Sequence, residues 1–197
     1  MRLDQQLAER WIKPGSRVLD LGCGDGELLV HMAKQLDIDC YGLEIDEDKI
    51  TSAIGRGLNI IEQDLNEGLG RFADQSFDAV VMAQALQAVK APDQILLDMV
   101  RVGREAIITF PNFAHWKTRS YIGFRGKMPV SKALPYMWYD TPNIHLCTFR
   151  DFEALCRANG IRIINRLAVN GDQQGSFFMK HFPNLFGEIA IYRVSRS

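Results

Sequence analysis

Apolar and polar positions follow two rhythms along this chain. Short continuous apolar runs end in glycine or acidic residues, and between them lie stretches with apolar residues three or four apart. The first rhythm marks buried strands and the second amphipathic helices. Residues 3–12 place Leu3, Leu7 and Trp11 on one helical face, and Pro14-Gly15 stops that helix. Arg17 to Leu21 predicts a short buried strand running into glycines. Residues 26–36 follow as a helix with Leu28, Leu29, Met32 and Leu36 as its inward stripe. Asp39 to Glu44 reads as a second strand, and a helix begins near Glu47 with Ile50 and Ile54 four apart. Leu58 to Glu62 is a third strand, and Phe77 to Met82 a fourth after the turn residues Ala73 to Ser76. Pro92 opens a helix to about Val102, at a position where its missing N–H costs nothing. Arg104 to Phe110 is a fifth strand. This alternation calls for a parallel sheet covered by helices on both faces.

After residue 110 the rhythm breaks. Residues 111–147 hold four of the seven prolines and two of the three tryptophans, interspersed with Lys117, Arg119, Arg125, Lys127 and Lys132. The stretch is too long for a routine connection and reads as a functional insertion or lid. Thr148 then caps a helix through Asn159, with Asp151 three residues on and Phe152, Leu155 and Cys156 facing inward. Gly160 stops it. Ile161 to Leu167 and Glu188 to Val194 are two further strands, joined by a loop or hairpin. The expectation is an α/β sandwich of seven strands, one domain over residues 1–197 with an aromatic and basic insertion at about 111–147.

Composition narrows the function. The 197 residues suit one domain, and 23 Lys+Arg against 24 Asp+Glu leave a formal charge of -1. A dedicated nucleic-acid binder needs a basic surplus that this chain lacks. The opening MRLDQQLAER carries both charge signs and no apolar segment behind it, unlike a secretory signal. No apolar run approaches the length of a membrane span. Cys23, Cys40, Cys147 and Cys156 form no Cys-x-x-Cys pair and match no zinc spacing. The expectation is a reduced cytoplasmic protein with no structural metal.

The most informative segment runs Val18-Leu-Asp-Leu-Gly-Cys-Gly-Asp-Gly-Glu27. A strand leading through glycines into a helix receives a nucleotide-like ligand at the strand's carboxyl end. Glycine permits the sharp turn and the close approach that a Cβ obstructs. Taken alone, the triplet also fits a tight turn that holds no ligand. Its spacing departs from the dinucleotide fingerprint, because Gly26 follows Gly24 by two residues and position 27 is Glu. Asp20 lies under the loop and Asp25 within it, so a pyrophosphate meets like charge there. A cationic ligand without phosphate suits the loop better.

S-adenosylmethionine has that chemistry, with a sulfonium, an amino-acid end, a ribose and an adenine. Glu44, closing the second strand, is placed to accept hydrogen bonds from both ribose hydroxyls. Asp64, just after the third, is placed to accept one from the adenine amino group. Singly, Glu44 also reads as a solvated strand end and Asp64 as a turn residue. At successive strand ends they favour the cofactor together. A nucleotide-dependent oxidoreductase is the weaker reading, given the acidic loop.

Val18 to Gly26, Glu44 and Asp64 resemble the cofactor motifs of the seven-stranded S-adenosylmethionine-dependent methyltransferase superfamily, and the likeness extends to Phe77–Val80 and the two terminal strands. A closer resemblance is to the bacterial methionine-biosynthesis MetW family. It is carried by Trp11 to Gly26, by Phe110-Pro-Asn-Phe-Ala-His-Trp116 and by Trp138-Tyr-Asp-Thr-Pro-Asn-Ile-His145. The first block is shared with many methyltransferases, whereas the other two are distinctive. The resemblance implies a Rossmann-like sandwich that binds S-adenosylmethionine or S-adenosylhomocysteine. The implied cofactor residues are Asp20, Gly22, Cys23, Gly24, Gly26, Glu44, Ile45, Asp64, Leu65 and Ala83. It also implies a partner, a homoserine O-acyltransferase whose activity the chain supports.

Catalysis is less legible. Methyl transfer holds donor and acceptor in line, with a base where the acceptor loses a proton. The fourth strand ends Met82-Ala83-Gln84-Ala85-Leu86-Gln87, without the Asp/Asn-Pro-Pro-aromatic signature of nucleic-acid amine methylation and without an obvious base. Gln84 and Gln87 read as pocket-lining or as ordinary strand-end residues. His115 is the remaining general-base candidate, although a histidine in such a loop also reads as structural. Trp116, Tyr121, Trp138 and Tyr139 read as an acceptor cage or as a partner-facing surface. The second is favoured, since aromatics and arginines anchor interfaces. No Gly-x-Ser-x-Gly elbow occurs, so acyl transfer belongs to the partner. Two functions result: an S-adenosylmethionine-binding support for an acyltransferase, or a small-molecule methyltransferase.

Overall fold

The computed structural model describes residues 2–170, 173–174 and 177–197. In chain order its elements begin with α1 (Leu3–Glu9), β1 (Arg17–Leu21), α2 (Glu27–Leu36), β2 (Asp39–Glu44), α3 (Glu47–Gly55) and β3 (Asn59–Glu62). They continue with β4 (Phe77–Ala83), α4 (Pro92–Val102), β5 (Gly103–Pro111), α5 (Trp116–Arg125) and α6 (Phe149–Ala158). The last are β6 (Ile161–Asn170), β7 (Gln173–Gln174), α7 (Phe177–His181), α8 (Pro183–Phe186) and β8 (Ile189–Arg196). Single 3-10 turns occupy Leu65–Glu67 and Leu86–Ala88.

The strands form one mixed sheet in the order β3-β2-β1-β4-β5-β8-β6-β7. β1 to β5 run parallel, and β8 inserts antiparallel between β5 and β6. The chain builds outward from β1 to β3, then crosses back to lay β4 against the other side of β1. Adjacent connections leave in opposite directions there, which opens a crevice at the carboxyl ends of β1 and β4.

Period-two alternation sends the strands' side chains to two cores. Leu19, Leu21, Val80, Met82, Ile108 and Phe110 meet α4 and α6 on one face. Val18, Ala79, Val81 and Ile107 meet α2 on the other. Thr148 and Asp151 form a reciprocal capping box at the start of α6, as their spacing anticipates. The loop between β3 and β4 is pinned by Arg101, which donates to the carbonyls of Leu69 and Phe72 and pairs with Asp98 and Asp74.

Several boundaries differ from the sequence expectation. α1 ends at Glu9, with Arg10–Ile12 continuing as a turn. On α3 the buried residue is Ala53, while Ile54 is 54% exposed. The eighth strand is the two-residue β7, which hairpins onto β6, and α7 and α8 occupy the connection to β8 read as a loop or hairpin. Within the 111–147 stretch, α5 forms a ten-residue helix without a strong apolar stripe. The rest of the stretch is tied down by backbone bonds from Ile144 and His145 to Gln87 and from Phe113 to Cys147. The His145 ring also meets the Lys90 carbonyl. Among the described residues no helix is long and apolar enough to cross a membrane, and no group of three or more His, Cys, Asp or Glu is disposed to hold a metal ion.

Candidate functional site

The glycine loop leaves β1 at the crevice. Gly22, Gly24 and Gly26 all have positive φ, at 70°, 59° and 77°. Their reasons for being glycine differ. A Cβ at Gly26 collides with Leu58 in the turn before β3, so this position is a packing requirement at the start of α2. A Cβ at Gly24 meets nothing within 4 Å. Gly24 therefore presents bare backbone to open space, the form a closely approaching ligand needs. The loop is registered by the N–H groups of Gly22 and Cys23, which both donate to the Leu43 carbonyl at 2.9 and 3.0 Å.

Cys23 turns its thiol inward against Gly42, where it joins the α2-side core. Burial first, and then the charges of Asp20 and Glu44, push that thiol up to about 12. What Cys23 turns toward the cleft is therefore its backbone.

Glu44 is buried at the end of β2, and its carboxylate organises the loop. Oε2 accepts from Gly24 N at 2.8 Å, and Oε1 from Ile45 N at 2.9 Å and Asp46 N at 3.2 Å. Three donors thus occupy a group with roughly four acceptor positions. Asp64 caps the Leu65–Glu67 turn through Oδ1, which accepts from Asn66 N and Nδ2. Its Oδ2 carries no hydrogen bond among the described residues. Leu65 and Ala85 close against Gly22, and Ile45 is exposed at the rim.

Beneath the loop, Asp20 is almost fully buried, and its Oδ1 has no hydrogen-bond partner among the described residues. Burial raises its carboxyl to about 7, with the Arg2 charge opposing that rise and Glu44 adding to it. The loop is consequently less negative than a count of carboxylates suggests. Asp25 is paired with Arg56 at 2.7 Å, and Asp20 keeps its proton well above the usual carboxylate range.

Sequence reasoning missed the N-terminal contribution. Asp4 on α1 is buried, accepts from Thr109 Oγ1 at 2.9 Å and Gln84 Nε2 at 3.1 Å, and lies 3.3 Å from Arg2 Nε. Arg2 Nη2 also reaches the Ala83 carbonyl at 3.5 Å. Gln84 holds φ 61°, a left-handed conformation uncommon for a side-chain-bearing residue. This cluster brings the chain start over the end of β4, beside the crevice. The candidate base His115 lies apart from the loop, beyond β5 at the start of α5. It is 3% exposed, and its Nε2 has no hydrogen-bond partner among the described residues.

The sheet order and its crevice define a fold class shared with solved proteins of low identity. A SAM-dependent methyltransferase from Thermotoga maritima superposes with TM-score 0.67 at 19% identity, over 99% of this chain and 88% of that one. The [4+2]-cyclase SpnF superposes with TM-score 0.69 at 16% identity, over 98% and 80%. At these identities the likeness shows the fold alone. A family model described as methionine biosynthesis protein MetW matches residues 2–194. The bifunctional methionine biosynthesis protein MetXA/MetW of Rhodopirellula baltica is 32% identical over all of this chain. The chain belongs to the MetW family. It spans 33% of the Rhodopirellula protein and 38% of the norajmaline N-methyltransferase of Rauvolfia serpentina, which is 30% identical over 52% of this chain.

Proposed function

We propose that this chain, as a single cytoplasmic domain, binds S-adenosylmethionine in the crevice at the glycine loop and supports a homoserine O-acyltransferase of methionine biosynthesis. The observation that carries the cofactor is Asp20, a buried carboxyl with an unpartnered oxygen beneath the open backbone of Gly24. A ligand bearing ammonium and sulfonium charge stabilises its ionised form, whereas a phosphate opposes it. In this reading Asp20 and the Gly22–Gly24 backbone hold the amino-acid end, while Glu44 and Ile45 hold the ribose. Asp64 Oδ2 and Leu65 take the adenine, with Cys23 and Gly26 shaping the loop and Ala83 bordering the far side. For Glu44 to receive both ribose hydroxyls, the Gly24 N–H must share or leave Oε2. When bound, the cofactor supplies an electrophilic methyl group.

Support for the partner comes from the Rhodopirellula relative, whose name joins MetXA and MetW functions in one polypeptide. Calorimetric titration of the purified chain with S-adenosylmethionine and with NAD tests the cofactor, and binding of NAD alone sinks it. Acyltransferase assays with and without the chain test the partner role, and equal activity in both sinks that. A second reading, methyl transfer to a small molecule, is favoured by the unpartnered His115 Nε2. Its signature is S-adenosylhomocysteine formed with turnover and abolished by Gly24→Arg.

A further inference from the structure

A cavity of about 220 Å³ lies beyond β5, lined by Asn112, His115, Lys117, Tyr121, Leu134 and Glu188 among others. A smaller one of about 170 Å³ shares Ala133 and Glu188 with it and is bordered by Arg2, Asp4 and Lys132. Through Arg2 the smaller lobe touches the Ala83 carbonyl at the end of β4. The two lobes share part of their lining, and His115 borders the larger one. Each is below the usual size of a drug-like site, so the space suits a small metabolite.

The polar groups around it divide into those used by the fold and those left for a ligand. Asn112 is consumed: Nδ2 donates to the carbonyls of Asn184 and Gly187, and Oδ1 accepts from Ala114 N. His115 is not, because its buried Nε2 is unpartnered among the described residues. Burial holds its ring below the usual imidazole range against the opposing pull of Glu188, and Lys117 lowers it further. The ring is accordingly neutral at pH 7, with one nitrogen free to accept a hydrogen bond. The charged residues bordering the lobes pair off, Arg2 with Asp4 and Lys117 with Glu188 at 3.9 Å. The exposed Lys132 has no ion pair among the described residues.

We propose that this double cavity binds an amino-acid-sized carboxylate that also carries a hydroxyl or amine, the carboxylate drawn to Lys132 and the protic group donating to His115 Nε2. The assignment stands apart from the cofactor reading. Its chemistry comes from the cavity itself.

The test follows the His115 imidazole by NMR while the intact chain is titrated with L-serine, L-homoserine and 4-hydroxybutyrate. The control is 3-amino-1-propanol, which lacks the carboxylate. A saturable His115 shift with at least one acid and none with the amino alcohol is expected, and Lys132→Glu weakens that binding roughly tenfold. Equal binding of the amino alcohol, indifference to Lys132→Glu, or no shift with any acid overturns the proposal. Calorimetry with S-adenosylmethionine is run on the same sample. Acid binding without cofactor binding upholds the small-acid site and removes the cofactor reading, so the two failures are distinct.

Discussion

Among single residues, Asp20 ties the loop's stability to pH. An ordinary carboxyl near 3.8 is raised here to about 7, chiefly by burial. The folded chain therefore holds a proton that the unfolded chain has released across that window, and stability falls as pH rises through it. By pH 8 the rise corresponds to on the order of 4 kcal/mol. Asp20→Asn removes the ionising group. The variant is expected to match the parent near pH 4 and to melt higher than it at pH 8, while losing affinity for S-adenosylmethionine. Thermal melts at both pH values and calorimetry at pH 8 check this. If the parent and Asp20→Asn lose stability in parallel between pH 4 and 8, Asp20 is not the titrating group. In the parent, a cation that ionises Asp20 releases a fraction of a proton on binding at pH 7, readable as a dependence of binding heat on buffer ionisation enthalpy.

The strand-to-helix loop separates fold from function glycine by glycine. Gly24→Ala meets open space, so it incurs only the cost of a left-handed residue, about 1–2 kcal/mol. On the proposed function it also puts a methyl in the path of the cofactor. Gly26→Ala adds a collision with Leu58, and overpacking of that kind costs about 1–3 kcal/mol more. The expected outcome is a larger loss of melting temperature for Gly26→Ala, and a loss of S-adenosylmethionine binding by a still-folded Gly24→Ala. Urea denaturation and calorimetry on the two variants check it. These elements were legible because local rules govern them: buried runs, glycine turns, a Thr148–Asp151 cap. Asp4 was not, because its partners Gln84 and Thr109 lie 80 and 105 residues away and a helical wheel gives a buried acid no reason to exist. α5 escaped notice because its aromatic residues face outward and break the apolar period. The direction of Cys23 was hidden for a similar reason, since it depends on Gly42 leaving room beneath it.

For the molecule as a whole, the fold does not choose the reaction, since a [4+2]-cyclase shares it. The stretch after β5 builds an exposed aromatic surface. Phe124, Trp138 and Tyr139 are 90%, 73% and 69% exposed. Tyr121, Met128, Val130, Met137, Trp138 and Tyr139 line an open cavity of about 650 Å³. Apolar surface of this kind is costly to leave in water, and Trp, Tyr and Met are the residues that anchor protein interfaces. Under the proposed function, the occupant to test on this surface is the homoserine O-acyltransferase. Replacing Trp138 and Tyr139 together by Ala removes two outward side chains, so the melting temperature should hold. Loss of anchors of this type weakens association by about 2 kcal/mol or more, roughly thirtyfold. Sedimentation of the purified acyltransferase with parent and double variant measures it. Undiminished association would move the interface elsewhere on the chain. Weakened association accompanied by lost acyltransferase activation would make this face the means by which the chain acts on its partner.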